Sequence, residues 1–296
     1  MGVRFFKKPE LYKPDLLAVW PGIGNIGVMA IDALRGTMEA EEFAEIDPWS
    51  FFYPSMVTIS NGELGQLEFP TCKFYFKRMV TRDLIFFIGE DQPHEERKVY
   101  EMANIVLDVA NEFGCQRVYT SGAAITPIHH TAKPGVWAIP NTNSLIDEFK
   151  SYDNTVLMSN REGMNGAGNI SGLNGVLMGT AKKRDIEGVC LLGEMPLYLA
   201  QFPVPYPKAS KSVLEVLTAS LDILVDLKIF DELSLEVEQR IDWFYQRIPL
   251  EIKDRIDQLK DMPHVANENA GPITEGDKKA IMQDIEEFFG GGSKQG

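Results

Sequence analysis

Leu16-Leu-Ala-Val-Trp20 runs directly into Pro21-Gly-Ile-Gly-Asn-Ile-Gly27 and then into Val28-Met-Ala-Ile-Asp-Ala-Leu34. The first stretch is a short apolar run of the kind a buried parallel strand uses. Glycines follow in the spacing G-x-G-x-x-G, and the last stretch reads as a helix. A strand that turns on glycine into a helix leaves backbone N–H groups and the positive end of the helix dipole facing open space. Gly22, Gly24, Asn25 and Gly27 are therefore candidates for holding a phosphate or carboxylate. The competing reading is that glycine only lets a tight turn pack against the sheet. A lone glycine pattern does not separate the two.

Residues 43–47 read as a second strand. Asp47 falls where a dinucleotide-binding fold places its ribose acid. That fold requires another crossover helix next. Here residues 55–60, 63–69 and 72–79 read as strands instead, and Asn61-Gly62 is a strong hairpin signal. An antiparallel insertion interrupts the winding and argues against dinucleotide binding. The alternation resumes with a strand over 83–89. A helix follows, with an apolar face of Val99, Met102, Ala103, Val106, Ala110 and Phe113. The next strand is Arg117-Val-Tyr-Thr-Ser121. This is a βαβ unit, and the loop after it lies where open α/β sheets place ligands. That loop carries His129 and His130. Adjacent histidines serve metal binding or proton transfer, but no acidic partner stands at ligand spacing, so no metal site is expected. His129 is kept as a polar lining of a pocket.

Strands are expected at 135–139 and 155–158, with a short helix at 145–150. The segment Gly163-Met-Asn-Gly-Ala-Gly-Asn-Ile170 then leads toward another helix start, and its Gly166-Ala-Gly-Asn-Ile170 echoes Gly22-Ile-Gly-Asn-Ile26. If the echo is real, two helix starts face one cleft, and Asn165, Gly166 and Asn169 join it. Otherwise both stretches only turn the chain. The last strand, Gly188-Val-Cys-Leu-Leu192, ends at Gly193-Glu-Met-Pro196. That puts Glu194 at a carboxyl edge, in a position for binding or catalysis or for capping the next helix. Pro207 opens a long helix expected to reach Leu227, with a stripe of Val213, Leu217, Leu221 and Leu224.

Composition sets the outer bounds. The 296 residues are 44% hydrophobic and 24% charged, ordinary for a soluble globular chain. No stretch approaches the roughly 18 apolar residues of a membrane span, and residues 1–8 lack the apolar centre of a secretory signal. The net charge of −14 disfavours nucleic acid as a partner. From Asp231 onward, 15 acidic residues face 8 basic ones, so the last 66 residues hold half of that charge. Cys72, Cys115 and Cys190 are odd in number and far apart, which points to free buried thiols in a reducing cytoplasm rather than disulfides or zinc.

Several features recur in one order. They are the strand–PGIGNIG–helix unit, the glycine-rich Asn-Gly helix start, strand–Gly-Glu-Met-Pro-x-Tyr, and Pro-Tyr-Pro-Lys-Ala-Ser before a leucine-rich helix. Together, over about residues 10–230, they resemble the proteasome assembly chaperone family in its archaeal and bacterial branch. The resemblance implies an α/β fold of the phosphorylase/hydrolase-like type, with a mixed central sheet flanked by helices. It also implies self-association into homo-oligomers and, for some members, action on proteasome α-subunits. It supplies no catalytic residues and no cofactor. Some archaeal members end in hydrophobic–tyrosine–any residue, which docks into proteasome pockets. This chain ends Gly-Gly-Gly-Ser-Lys-Gln-Gly296, which puts docking by that route in doubt.

The expected organisation is an α/β domain over 1–230, an amphipathic helical extension over 231–262, and a flexible tail over 263–296 with a short amphipathic helix. The extension carries a stripe of Val237, Ile241, Phe244, Ile248, Ile252, Ile256 and Leu259, expected to pack on its own domain or on an identical subunit. In the tail, Ile281, Ile285, Phe288 and Phe289 form an apolar face on a helix too short to stand alone. It must dock on its own domain or in a partner's groove. Two functional readings follow. One is a non-catalytic assembly or interaction protein that works by burying surface. The other is a small-molecule binder or enzyme built on the glycine-lined cleft, with Glu194 or His129 moving protons. No nucleophile elbow, P-loop lysine or metal motif supports the second.

Overall fold

The computed structural model describes residues 2–158, 168–247 and 249–260. The strands are β1 (Val3–Phe5), β2 (Asp15–Val19), β3 (Glu41–Ile46), β4 (Ile59–Ser60), β5 (Glu63–Leu64), β6 (Cys72–Lys77), β7 (Leu84–Gly89), β8 (Arg117–Thr126), β9 (Val136–Pro140), β10 (Thr155–Leu157) and β11 (Glu187–Pro196). The helices are α1 (Ile26–Thr37), α2 (Glu96–Glu112), α3 (Asn143–Phe149), α4 (Gly172–Lys183), α5 (Pro207–Leu221), α6 (Lys228–Tyr245) and α7 (Leu250–Gln258). All strands except β4 and β5 form one mixed sheet in the order β1-β3-β6-β7-β2-β8-β11-β9-β10. Its centre, β7-β2-β8-β11, is parallel. β1, β6 and β9 each run antiparallel to their neighbours β3, β7 and β11. The antiparallel insertion expected after the first helix is present as β6.

Strand β2 shows why the parallel centre reads as an unbroken apolar run. Leu17 and Val19 belong to the core on one face, with Ile26, Ile31 and Leu34 of α1 and Val213, Leu217 and Leu221 of α5. Leu16 and Ala18 belong to the core on the other, with Met102, Val106 and Ala110 of α2 and Leu173 and Leu177 of α4. After Asp15, which pairs with Arg82, the strand is covered by helices on both sides and both of its faces take apolar residues. The helix α2 carries its expected stripe inward, and Gly114, at φ 67, follows it.

Three expectations shift. The helix from Pro207 stops at Leu221, because Asp222 turns left-handed at φ 54. Leu224 lies beyond that end, fully exposed, whereas the other three leucine-stripe residues are buried. The strands expected over 55–60 and 63–69 pair only at Ile59–Ser60 and Glu63–Leu64. Cys115 is half-buried rather than buried, while Cys72 and Cys190 are buried, and all three are free. Beyond α5, Phe230, Val237 and Ile241 of α6, with Ile256 of α7 and Leu259 just after it, join the core that holds α1 and α5. Among the described residues no helix is long and apolar enough to cross a membrane.

Candidate functional site

The glycine turn is built by close approach. After β2, Gly22 is extended and open to solvent, with nothing near the position a Cβ would take. Gly24 has φ 63, and Asn25 follows at φ 49. A Cβ on Gly24 would also sit 2.9 Å from the Met195 sulfur and 3.3 Å from the Tyr206 Cβ. Its carbonyl accepts the Tyr206 N–H at 2.8 Å. Gly27, in the first turn of α1, lies against β8, where a Cβ would come 2.6 Å from the Ser121 carbonyl carbon and closer still to its oxygen. Gly24 and Gly27 are therefore each required by what packs on them.

The second helix start reaches the same strand. The Asn174 side-chain amide, in the first turn of α4, donates to the Ser121 carbonyl at 3.2 Å. Gln92 links the two starts, donating to the Pro21 carbonyl at 2.8 Å and accepting the Leu173 N–H at 3.2 Å. The two helices begin on opposite faces of the sheet and converge at β8. Asn169, just before α4, is exposed, as are Gly22 and Asn25. Asn165 and Gly166 lie outside the described residues.

Glu194 is fully buried in β11. Its carboxylate accepts the Gly135 N–H at 2.9 Å and the Trp137 indole N–H at 3.1 Å, and its own N–H donates to the Gly135 carbonyl at 2.9 Å. These bonds fasten the start of β9 to β11. Tyr206 occupies the space between the glycine turn and the histidine loop. Its backbone is held by Gly24 and its hydroxyl donates to the His130 carbonyl at 3.4 Å. Burial pushes the Tyr206 hydroxyl well above the usual phenol range, with Glu238 and Glu194 adding to the effect.

His129 and His130 are both buried, with ring centres 4.1 Å apart. The Tyr198 hydroxyl accepts the His130 backbone N–H at 2.7 Å and sits 2.7 Å from its Nδ1. The His130 Nε2 faces Asp242 of α6 at 3.5 Å. His129 contacts Thr131 through Nδ1 at 2.8 Å and turns Nε2 toward Asp257 of α7 at 3.9 Å. Tyr245 of α6 meets the His130 ring edge-on at 5.7 Å. Burial, then the neighbouring His130, lowers His129 to about 4. Burial also lowers His130, with Asp242 opposing. Both rings are neutral at neutral pH, and α6 and α7 cover them. Among the described residues, no group of three or more His, Cys, Asp or Glu side chains is placed to hold a metal ion.

The structure thus brings Gly24, Glu194 and the histidine loop around Tyr206, Tyr198 and Met195, all buried. Sequence reasoning missed Tyr206, Tyr198, Gln92 and Ser121, the residues that join the pieces. The Pro-Tyr-Pro setting marked Tyr206, and the Gly-Glu-Met-Pro-x-Tyr stretch marked Tyr198. Two cavities lie beside this cluster, and Lys208, which lines one of them, donates to the His130 and Thr131 carbonyls at 3.1 Å. One, of about 490 Å³, is walled by the ion pairs Lys133–Glu215, Lys208–Glu238 and Lys211–Asp231. The other, of about 600 Å³, lies between Phe202, Pro203, Val204 and Pro205 and the Ile241, Trp243 and Phe244 side of α6. The tail residues Ile281, Ile285, Phe288 and Phe289 lie outside the described residues.

Known proteins of this shape are numerous. The Pyrococcus furiosus protein PbaB, an archaeal proteasome activator, superposes with a TM-score of 0.70 at 29% identity, covering 82% of this chain and 98% of PbaB. A Mycobacterium tuberculosis proteasome-assembly chaperone homologue gives 0.65 at 18% identity over 83% of this chain and 99% of its own. An uncharacterized protein of Methanocaldococcus jannaschii is 26% identical over 223 residues, 75% of this chain and 79% of the relative. The PAC2 family model matches residues 16–243, from the second residue of β2 to the last turn of α6, and the chain belongs to the PAC2 family.

Proposed function

We propose that this chain is a non-catalytic assembly or interaction protein of the proteasome assembly chaperone type, acting as a homo-oligomer in the cytoplasm on proteasome α-subunits. The observation that carries the reading is the 29% identity to an archaeal proteasome activator across 98% of that protein. The site geometry supports it from the other side. Gly24, Gly27 and Glu194 are engaged in packing and backbone bonds, and the two histidines are buried and neutral. We read these residues as structural, so that function falls to the surfaces. The mechanism is burial: an oligomer presents a face on which partner subunits lose apolar area to water, and the complex holds them in one pose.

The test mixes the purified full chain with proteasome α-subunits from its own organism and follows the mixture by native mass spectrometry. A complex of defined stoichiometry is expected. Free components at micromolar concentration would overturn the reading.

A further inference from the structure

Between Phe52, which is buried, and Cys72, the chain leaves the domain as a hairpin arm. Strands β4 and β5 pair only with each other, Ile59 opposite Leu64 and Ser60 opposite Glu63, and the Gly65 N–H donates to the Thr58 carbonyl at 2.8 Å. The turn, with Asn61 at φ 53 and Gly62 at φ 83, matches the twist of a two-residue hairpin. The base is fixed. Trp49 and Phe69 have ring centres 4.2 Å apart, and the Thr71 N–H donates to the Glu90 carboxylate at 2.8 Å. Above that base the large apolar side chains face water. Met56 is 85% exposed, Leu64 74%, Ile59 68% and Tyr53 65%.

Such an arm is incomplete. A lone two-stranded hairpin is marginal in water, and three or more strands are needed for stability. The two edges of this one differ. The β5 edge is followed by Glu68 and begins at Glu63, charges of the kind that blunt an edge. The β4 edge has no such guard, for residues 48–62 contain no charged side chain, in a chain of net charge −14. Because Thr58 turns its carbonyl to β5, alternation points the backbone groups of Val57 and Ile59 outward from the open edge.

We propose that the β4 edge of this arm pairs antiparallel with the β4 edge of a second copy of the chain, making a four-stranded sheet across a two-fold axis. The inference rests on the homo-oligomer reading above and names its surface. A two-fold contact asks for no other sequence, because each edge supplies what the other lacks. Two chains of the same sign meet here at an exposed segment that carries no charge. The exposed arm side chains of both copies then lie side by side on the joined sheet and shield one another from water.

The experiment compares the full chain with Val57→Pro, which removes an outward N–H, and with Val57→Lys/Ile59→Lys, by sedimentation equilibrium. The wild type is expected as a multiple of the 33.2 kDa chain. Both variants are expected to at least halve that mass at micromolar concentration, with unchanged circular dichroism and a dissociation constant raised about 100-fold or more. Single cysteines scanned over positions 56–59 are expected to give a disulfide-linked dimer at the position nearest the axis. Variants that keep the wild-type mass, with no cross-link, overturn the arm while leaving the oligomer reading intact. A wild-type chain that stays at 33.2 kDa overturns both. Variants that keep the oligomer but lose the α-subunits show the arm to be a docking strand for a foreign chain, and overturn the proposal too.

Discussion

The glycine turn at 22–27 and the hairpin arm at 53–69 invert what residue type alone suggests. The turn carries the residues associated with chemistry: glycines at a helix start, an Asn, and nearby a Glu and two His. Yet Met195, Tyr206 and the backbone of β8 press on it from the inside. The arm carries Tyr, Met, Ile and Leu, the residues of a core, and most of them lie open to water. Polar and permissive groups are drawn inward wherever backbones must approach closely or a buried bond must be satisfied. Apolar groups left together at the surface are where protein, membrane or ligand contacts form.

The comparison is broken most easily at Gly27. Gly27→Ala places a Cβ against a backbone carbonyl that cannot rotate away, so α1 must shift from β8. A loss of about 3 kcal/mol is expected in chemical denaturation. If Gly27→Ala were neutral, the packing account of the motif would be wrong. Glu194→Ala should rank beside it, losing about 2–4 kcal/mol, because it removes the buried carboxylate that the Gly135 and Trp137 N–H groups donate to. Gly24→Ala should cost less, about 1–2 kcal/mol, since its penalty is a left-handed backbone and a sulfur at the flexible end of Met195.

The histidine loop sharpens the same contrast through pH. His129 falls from its ordinary value to about 4 in the folded chain, so between pH 4 and about 6.5 the unfolded chain binds the extra proton. Stability from this group is complete above about pH 6.5 and is lost as pH falls toward 4. His130 acts in the same direction. Asp257 and Asp242 favour protonation, while Lys208 and Lys260 oppose it. Melting temperatures should climb from pH 4.5 to 7, and His129→Gln should flatten that climb. An equally steep profile in the variant would move the titration elsewhere. The smallest effects belong to the open positions. Gly22→Ala and Met56→Ser should each change the stability of the dilute protein by less than about 0.5 kcal/mol.

Much of the fold was legible because it rests on local pattern. The apolar runs of β2 and β7, the α2 stripe and the Asn61-Gly62 turn each state their own structure. The long helix was overrun to Leu227 because Leu224 keeps the period, and nothing in the residue type of Asp222 announces a left-handed turn. The site was less legible, since what decides it is long-range. That Gly27 would meet Ser121, or that Glu194 would serve Gly135 and Trp137, depends on β8, β9 and β11 lying side by side, which no local window contains. Gln92, which bridges the two helix starts, carried no signal at all. The exposure of the arm was equally hidden, because an alternating apolar strand reads the same whether it is covered or bare.

Native mass spectrometry of the protein isolated from its own cells separates a chain that works through its surfaces, on a structural glycine turn, from one that uses that turn for chemistry. A surface role gives a homo-oligomer carrying stoichiometric proteasome α-subunits, with no small-molecule mass bound. A chain that instead retains a small anionic ligand, released by mutating Asn25, would contradict it and return the glycine turn to chemistry.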